Sequence, residues 1–284
     1  MAGGPPSAIV LVMAQQALPV REARLGKPLG TAGKEGARDA LRWRGGGRGT
    51  GREVSGVALL LPGGGPTGIR RPSPVATLAV RPLAVRLAKA GRPEGLTAHV
   101  VRYRCSGWNG PDAHPARDAD WALDEVVRRY GDVPVCLVGT GMGARAALHA
   151  AGHPAVHSVL AIAPWLPDPH RDGDEQPDPV KQLIGRQVLL IHGTNDERTD
   201  PDLSYRYAER AKKVNRDICR FEVHSDGHSL HQHRTEVLAL ATDFMLGSLF
   251  ARGYARPVKD ALAAPPPLGL RMPLAAGFGA SLRH

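Results

Sequence analysis

Between residues 54 and 250 the chain alternates short apolar runs of strand length with longer stretches of helical periodicity. The apolar runs cover residues 57–61, 96–103, 134–139, 156–163, 187–192 and 218–224, and the helical patterns cover 75–90, 115–130, 142–151, 201–214 and 229–250. The central runs are apolar throughout instead of alternating with polar residues. That is the pattern of strands in a parallel sheet covered on both faces. Strands linked by helices in this way form right-handed crossover units, so the expected fold class is α/β, a doubly wound and mostly parallel sheet. Ligands of such sheets bind beyond the carboxyl ends of the strands, and the loop after each strand is therefore where chemistry is expected.

A hydrophobic content of 42% supports a real core, and an aromatic content of only 5% makes that core mainly aliphatic. The ends of the chain read differently. Residues 1–53 are rich in Gly, Ala, Pro and Arg and show no sustained periodicity, although 33–43 has the pattern of a short helix. They are expected to form a disordered, basic, low-complexity tail that offers no convincing strands ahead of 57–61. Residues 251–284 are expected to be a second, Pro/Gly-rich tail, in which Pro265-Pro266-Pro267 argues against regular structure. The folded domain is thus expected to span 54–250.

The formal charge of +10 resembles a nucleic-acid signal until it is located. Residues 1–52 hold nine Lys/Arg against Glu22, Glu35 and Asp39, and residues 251–284 hold five against Asp260. These two excesses, +6 and +4, account for the whole charge, which leaves the domain near neutral. A basic groove on the domain is not expected, and specific nucleic-acid binding is not expected with it. Cys105, Cys136 and Cys219 have no paired or metal-type spacing and read as reduced thiols of a cytoplasmic protein. No apolar run reaches the roughly 20 residues that cross a bilayer, and the apolar stretch 8–14 has no basic residue before it to make it a signal peptide. No membrane partner, cofactor or metal is called for. His224, His231 and His233 lie near one another in sequence but match no strong zinc spacing.

Four loops carry the functional signal. After the first run comes Leu61-Pro62-Gly63-Gly64-Gly65-Pro66, whose glycines let a backbone N–H approach a ligand or a developing oxyanion. Between a strand and a helix comes Gly139-Thr140-Gly141-Met142-Gly143, the place of a nucleophile elbow, usually written G-x-S-x-G, with glycine where serine is expected. Next comes Ile191-His192-Gly193-Thr194-Asn195-Asp196, where a carboxylate just past a strand end is placed to orient an imidazole. Asp200-Pro201 looks like the cap and first residue of the following helix, which leaves Asp196 free for that role. The last is Ser225-Asp226-Gly227-His228, a loop histidine in reach of a neighbouring strand end. The order of the loops, elbow then acid then histidine, says more than any one of them. One competing pattern remains open: Gly139-x-Gly141-x-x-Ala144 fits a dinucleotide fingerprint, although the next strand carries no acid at its end before Asp168.

On these residues the chain resembles the α/β-hydrolase superfamily and, more narrowly, a group of actinobacterial α/β-fold hydrolases of unassigned substrate. The likeness runs over about residues 56–248 and is carried by Gly107-Trp108-Asn109-Gly110, Trp121-Ala122-Leu123-Asp124-Glu125, the stretch 139–148, Ala161-Ile162-Ala163-Pro164-Trp165, the stretch 192–201 and Gly227-His228. The resemblance implies Asp196 as the triad acid, His228 as the base and Gly141 at the nucleophile position. It also implies oxyanion donors at the N–H groups of Gly64 and Met142. Relatives often have histidine where Pro62 stands, and serine where Gly141 stands. The expected function is therefore a hydrolase-fold protein, related to serine esterases and peptidases, of weak or no acyl-hydrolase activity. Two alternatives stand beside it: an active hydrolase of a small ester or amide that uses His228 and Asp196 with a displaced nucleophile such as Ser106, and a dinucleotide-binding protein. The segment 166–185 is short and rich in Pro and acidic residues, so an open site without a helical lid and a small-molecule ligand are expected.

Overall fold

The structure, a computed structural model, describes residues 21–30, 53–168 and 176–280. The stretches 8–14 and 33–43 lie outside these residues. The strands are β1 (Arg24–Leu25), β2 (Leu29–Gly30), β3 (Gly56–Leu61), β4 (Leu96–Arg102), β5 (Val135–Thr140), β6 (Val156–Ile162), β7 (Gln187–Gly193), β8 (Ile218–Val223) and β9 (Met272–Pro273). The helices are α1 (Pro74–Gly91), α2 (His114–Tyr130), α3 (Met142–His149), α4 (Pro201–Val214), α5 (Arg234–Phe250) and α6 (Arg256–Ala263).

All the strands join one sheet in the order β1-β4-β3-β5-β6-β7-β8-β9, with β2 also paired to β4. From β3 to β9 every pairing is parallel. The chain moves from β3 outward to β4, then crosses back to β5 on the other side of β3. This reversal opens a crevice beyond the carboxyl ends of β3 and β5, the usual ligand position in a doubly wound sheet.

The apolar runs are buried on both faces. In β3, Val57, Leu59 and Leu61 join the core beneath α2, α3 and α4, while Ala58 and Leu60 join the core beneath α1, α5 and α6. Local signals set the helix starts. The Ser73 side chain accepts from the Val75 N–H ahead of α1, and the Asp200 side chain accepts from the Asp202 N–H ahead of α4, each with proline in the first turn.

Two expectations about the ends need correction. Residues 24–25 and 29–30, inside the segment 1–53 read as tail, pair antiparallel with β4 as β1 and β2. Residues 251–280, inside the segment read as a Pro/Gly-rich tail, hold regular structure: α6 and β9 complete the domain, with Val258, Ala261 and Leu270 fully buried. In both cases a two-residue strand covers an otherwise open sheet edge. Two residues are too few to carry a periodic pattern, and the burial comes from scattered small apolar residues instead of a run.

Candidate active site

The turn between β5 and α3 is built by close backbone approach. A Cβ placed on Gly139 would lie 2.2 Å from the Gly143 carbonyl oxygen, and one on Gly143 would lie 2.0 Å from that of Leu61. Neither neighbour is a side chain that can rotate away, so both flanking positions require glycine. Gly141 differs. Its backbone sits at φ 55°, ψ −119°, a conformation that side chains other than hydrogen adopt only under strain. A Cβ there would meet nothing nearer than Cε1 and Nε2 of His228, both at 3.9 Å. Gly141 is held by its N–H donating to Ile162 O at 3.0 Å and by its carbonyl accepting from Trp165 N at 3.1 Å. The turn therefore has the strained shape of an elbow, with room for a small side chain aimed at the histidine.

The acid and the histidine meet from adjacent strands. Asp196 follows β7 and His228 follows β8, and Nδ1 of His228 lies 2.9 Å from Oδ2 of Asp196. The other partners of the Asp196 carboxylate are all donors. Its Oδ1 accepts from the N–H of Arg198 at 2.9 Å and of Thr199 at 3.0 Å. Its Oδ2 accepts from Thr199 Oγ1 at 2.6 Å and from His192 Nε2 at 3.2 Å. Burial by itself would raise the pKa of this fully buried carboxyl. The hydrogen bonds from His192, His228 and Thr199 outweigh burial and hold it well below the usual carboxylate range. Since Asp196 is thus ionised, it fixes Nδ1 of His228 as a donor and leaves Nε2, the nitrogen nearest Gly141, to face the cleft. His192 is itself pinned by Ser204 Oγ at 2.9 Å from its Nδ1. No sequence motif gives His192 or Thr199 a role. Their spacing from Asp196 is the only trace they leave in the sequence.

The cleft at the elbow encloses about 530 Å3, a volume suited to a small organic molecule. Gly63, Thr140, Gly141, His228 and Arg234 line it together with apolar residues that include Leu83, Ile162 and Val237. Of the glycine loop it is Gly63 that borders the cleft; Gly64 lies against the Met142 side chain, where a Cβ would approach Met142 Cε to 2.2 Å. The Met142 N–H heads α3, where a helix has no acceptor of its own to offer. Ser106, the candidate displaced nucleophile, does not border this cleft: its hydroxyl faces Gly68, where a Cβ would come within 2.4 Å of it. Among the described residues no group of three or more His, Cys, Asp or Glu is placed to hold a metal ion. His233 instead pairs with Asp226, which also accepts the His233 N–H at 3.0 Å.

Behind the elbow, Arg145 of α3 ties down the loops after β4 and β6. Its guanidinium lies 4.2 Å from the Trp108 ring centroid and 4.8 Å from that of Trp165. It donates to both oxygens of Asp178, at 2.8 and 2.9 Å. Burial would raise the Asp178 pKa, but hydrogen bonds from His149 and Arg145 lower it overall.

No family model matches the chain, and no curated protein matches it. Solved structures do. A putative α/β hydrolase of unknown function from Agrobacterium tumefaciens is 18% identical with a TM-score of 0.53, covering 71% of this chain and 88% of that one. An α/β serine hydrolase without a lid from Xanthomonas campestris is 20% identical with a TM-score of 0.51, covering 71% and 86%. An esterase from Pyrococcus furiosus is 14% identical with a TM-score of 0.53, covering 69% and 83%. At these identities the likeness is one of fold. The chain has the α/β-hydrolase fold.

Proposed function

We propose that this protein is a degenerate serine hydrolase: it binds a small ester- or amide-like molecule at the elbow cleft and hydrolyses it slowly or not at all. One observation carries the reading. Gly141 keeps the strained elbow conformation, with space beside it and His228 Nε2 3.9 Å from where a Cβ would stand, but has no Oγ to attack a carbonyl. In a complete site the hydroxyl oxygen bonds to the substrate carbonyl, its proton passes to His228 Nε2, and backbone N–H groups receive the oxyanion. The Met142 N–H at the head of α3 and an N–H of the glycine loop, at Gly64 or at the cleft-bordering Gly63, are the proposed donors. Without the hydroxyl, His228 still has Asp196 to stabilise its charged form, and the chemistry left is general-base activation of water. Removing the nucleophile of a working triad costs about six orders of magnitude in turnover.

An active hydrolase with a displaced nucleophile is less well supported, because Ser106 turns toward Gly68. The dinucleotide reading is less well supported too, because the strand after the elbow helix ends at Ile162 without a carboxylate. The free, buried Cys105, Cys136 and Cys219 suit a reducing cytoplasm, and burial pushes the Cys136 and Cys219 thiols up to about 12, where they are inert. The membrane-spanning class has no support: no helix among the described residues is long and apolar enough to cross a bilayer.

The test is turnover of p-nitrophenyl acetate by wild type, Gly141→Ser, and Gly141→Ser combined with His228→Ala. The expected order is a slow wild type, a faster serine variant, and loss of the gain in the double variant. A serine variant no faster than wild type would overturn the proposal.

A further inference from the structure

The near-neutral charge of residues 53–250 argued against a basic groove on the domain, yet the structure assembles one. Arg21, Arg24, Arg71, Arg102 and Arg104 line a single cavity of about 620 Å3. They come from three separate segments: the stretch leading into β1, the loop before α1, and the carboxyl end of β4. Total charge is a sum over sequence, whereas this cavity depends on β1 returning against the end of β4.

The arrangement sets like charges side by side. Arg24 and Arg102 stand directly opposite each other in the antiparallel β1–β4 pair, where like charges repel. Among the described residues, Glu22 is the one acid in the cavity wall. Arg104 is paired with Asp118 at 2.5 Å, and Arg21 donates to the Ile69 carbonyl at 3.4 Å. Among the described residues no acid lies within ion-pair distance of Arg24, Arg71 or Arg102. A planar guanidinium offers paired N–H donors that match phosphate oxygens, and several such groups around a hollow suit a multiply charged anion.

The cavity also has a defined neighbour. Leu78, 58% exposed on α1, belongs to its wall and to the wall of the apolar cleft at Gly141 and His228. We propose that the arginine cavity is an anion subsite, and that the ligand of this protein carries a phosphate head held by Arg24, Arg71 and Arg102 and an apolar arm that passes over Leu78 into the elbow cleft. The second half rests on the reading of that cleft as the ligand pocket. Both a soluble phosphorylated compound and a phospholipid headgroup present this chemistry.

The full chain is titrated calorimetrically with inorganic phosphate, inorganic pyrophosphate and octyl phosphate, and sedimented with phosphatidylcholine vesicles containing phosphatidic acid. The variants are Arg71→Ala combined with Arg102→Ala, both exposed side chains, and Ala79→Trp, which fills the apolar cleft from the exposed side of α1. Pyrophosphate is expected to bind wild type and to lose roughly tenfold or more in affinity in the double arginine variant. Octyl phosphate is expected to bind about tenfold tighter than inorganic phosphate, and Ala79→Trp to remove that advantage while leaving pyrophosphate affinity unchanged. With octyl phosphate bound more tightly than inorganic phosphate, vesicle binding that depends on the arginines identifies lipid as the source of the phosphate, and no vesicle binding identifies a soluble compound. Pyrophosphate binding unchanged by the arginine substitutions overturns the subsite, and octyl phosphate no tighter than phosphate overturns the shared ligand. Neither result touches the esterase gain of Gly141→Ser, so the subsite and the degenerate-hydrolase reading fail separately.

Discussion

Asp196 and His228 are 32 residues apart in sequence and 2.9 Å apart between Oδ2 and Nδ1. They meet because β7 and β8 are parallel neighbours, so their carboxyl-end loops emerge side by side. The loops touch at Gly193, where a Cβ would lie 2.4 Å from the Asp226 carbonyl oxygen. This contact leaves no room for a side chain at 193 and brings the histidine loop onto the acid.

Replacing Asp196 by Asn should release the imidazole. With an ionised carboxylate at 196, the Nδ1–H tautomer of His228 dominates whenever the ring is neutral. In Asp196→Asn both tautomers should be populated, and ring nitrogen NMR shifts read the difference. Identical shifts in the two proteins would show that Asp196 does not set the histidine.

The same carboxyl sets an acid limb of stability. Its folded pKa lies below the ordinary 3.8, since the hydrogen bonds from His192, His228 and Thr199 override burial. The unfolded state therefore binds the proton more readily, and stability from Asp196 is fully present above about 3.8 and lost as pH falls further. Denaturant titrations across acid pH should show wild type losing its advantage over Asp196→Asn as the solution is acidified. A constant advantage down to the lowest pH would contradict the assignment.

Alanine scanning of the elbow should separate packing from strain. Gly141→Ala meets open space and carries only the backbone penalty, about 1–3 kcal/mol. Gly139→Ala and Gly143→Ala drive a methyl into backbone 2.2 and 2.0 Å away and should each cost more than Gly141→Ala, enough to impair folding. Equal losses in all three, measured by chemical denaturation, would mean that the turn is looser than described.

Arg145→Met should cost about 3–5 kcal/mol, because it leaves the Asp178 carboxylate buried without its bidentate partner. Pairing it with Asp178→Leu should recover part of the loss, since the stranded charge is then gone. A double variant that is simply the sum of the two single losses would argue against coupling.

A chain ending at residue 255 tests the corrected boundary. It lacks α6 and β9 and uncovers the core that Val258 and Leu270 close, so its melting temperature should fall by roughly 10 °C or more. An unchanged melting temperature would return residues 256–280 to the status of a dispensable tail.

The sequence alone determined the parallel sheet and put Gly141, Asp196 and His228 each on a loop that follows a strand. Strands buried on both faces are apolar without interruption, as in Leu189–Leu190–Ile191, and helices such as Pro201–Val214 carry their caps in adjacent residues. Both are local signals. The glycines of the elbow were legible for the same reason, since G-x-G-x-G concentrates its meaning in five positions.

What only the tertiary structure decided depends on pairs far apart in the chain. Thr199 and His192 become partners of Asp196 through a loop conformation that no spacing announces. Gly63 instead of Gly64 borders the cleft because the Met142 side chain occupies the ground beside Gly64. The strands β1, β2 and β9 are two residues long, too short to have a period, and exist only because an edge of the sheet is there to pair with them. The arginine cavity follows from that pairing: electrostatic repulsion acts through space, and only the fold sets Arg24 opposite Arg102.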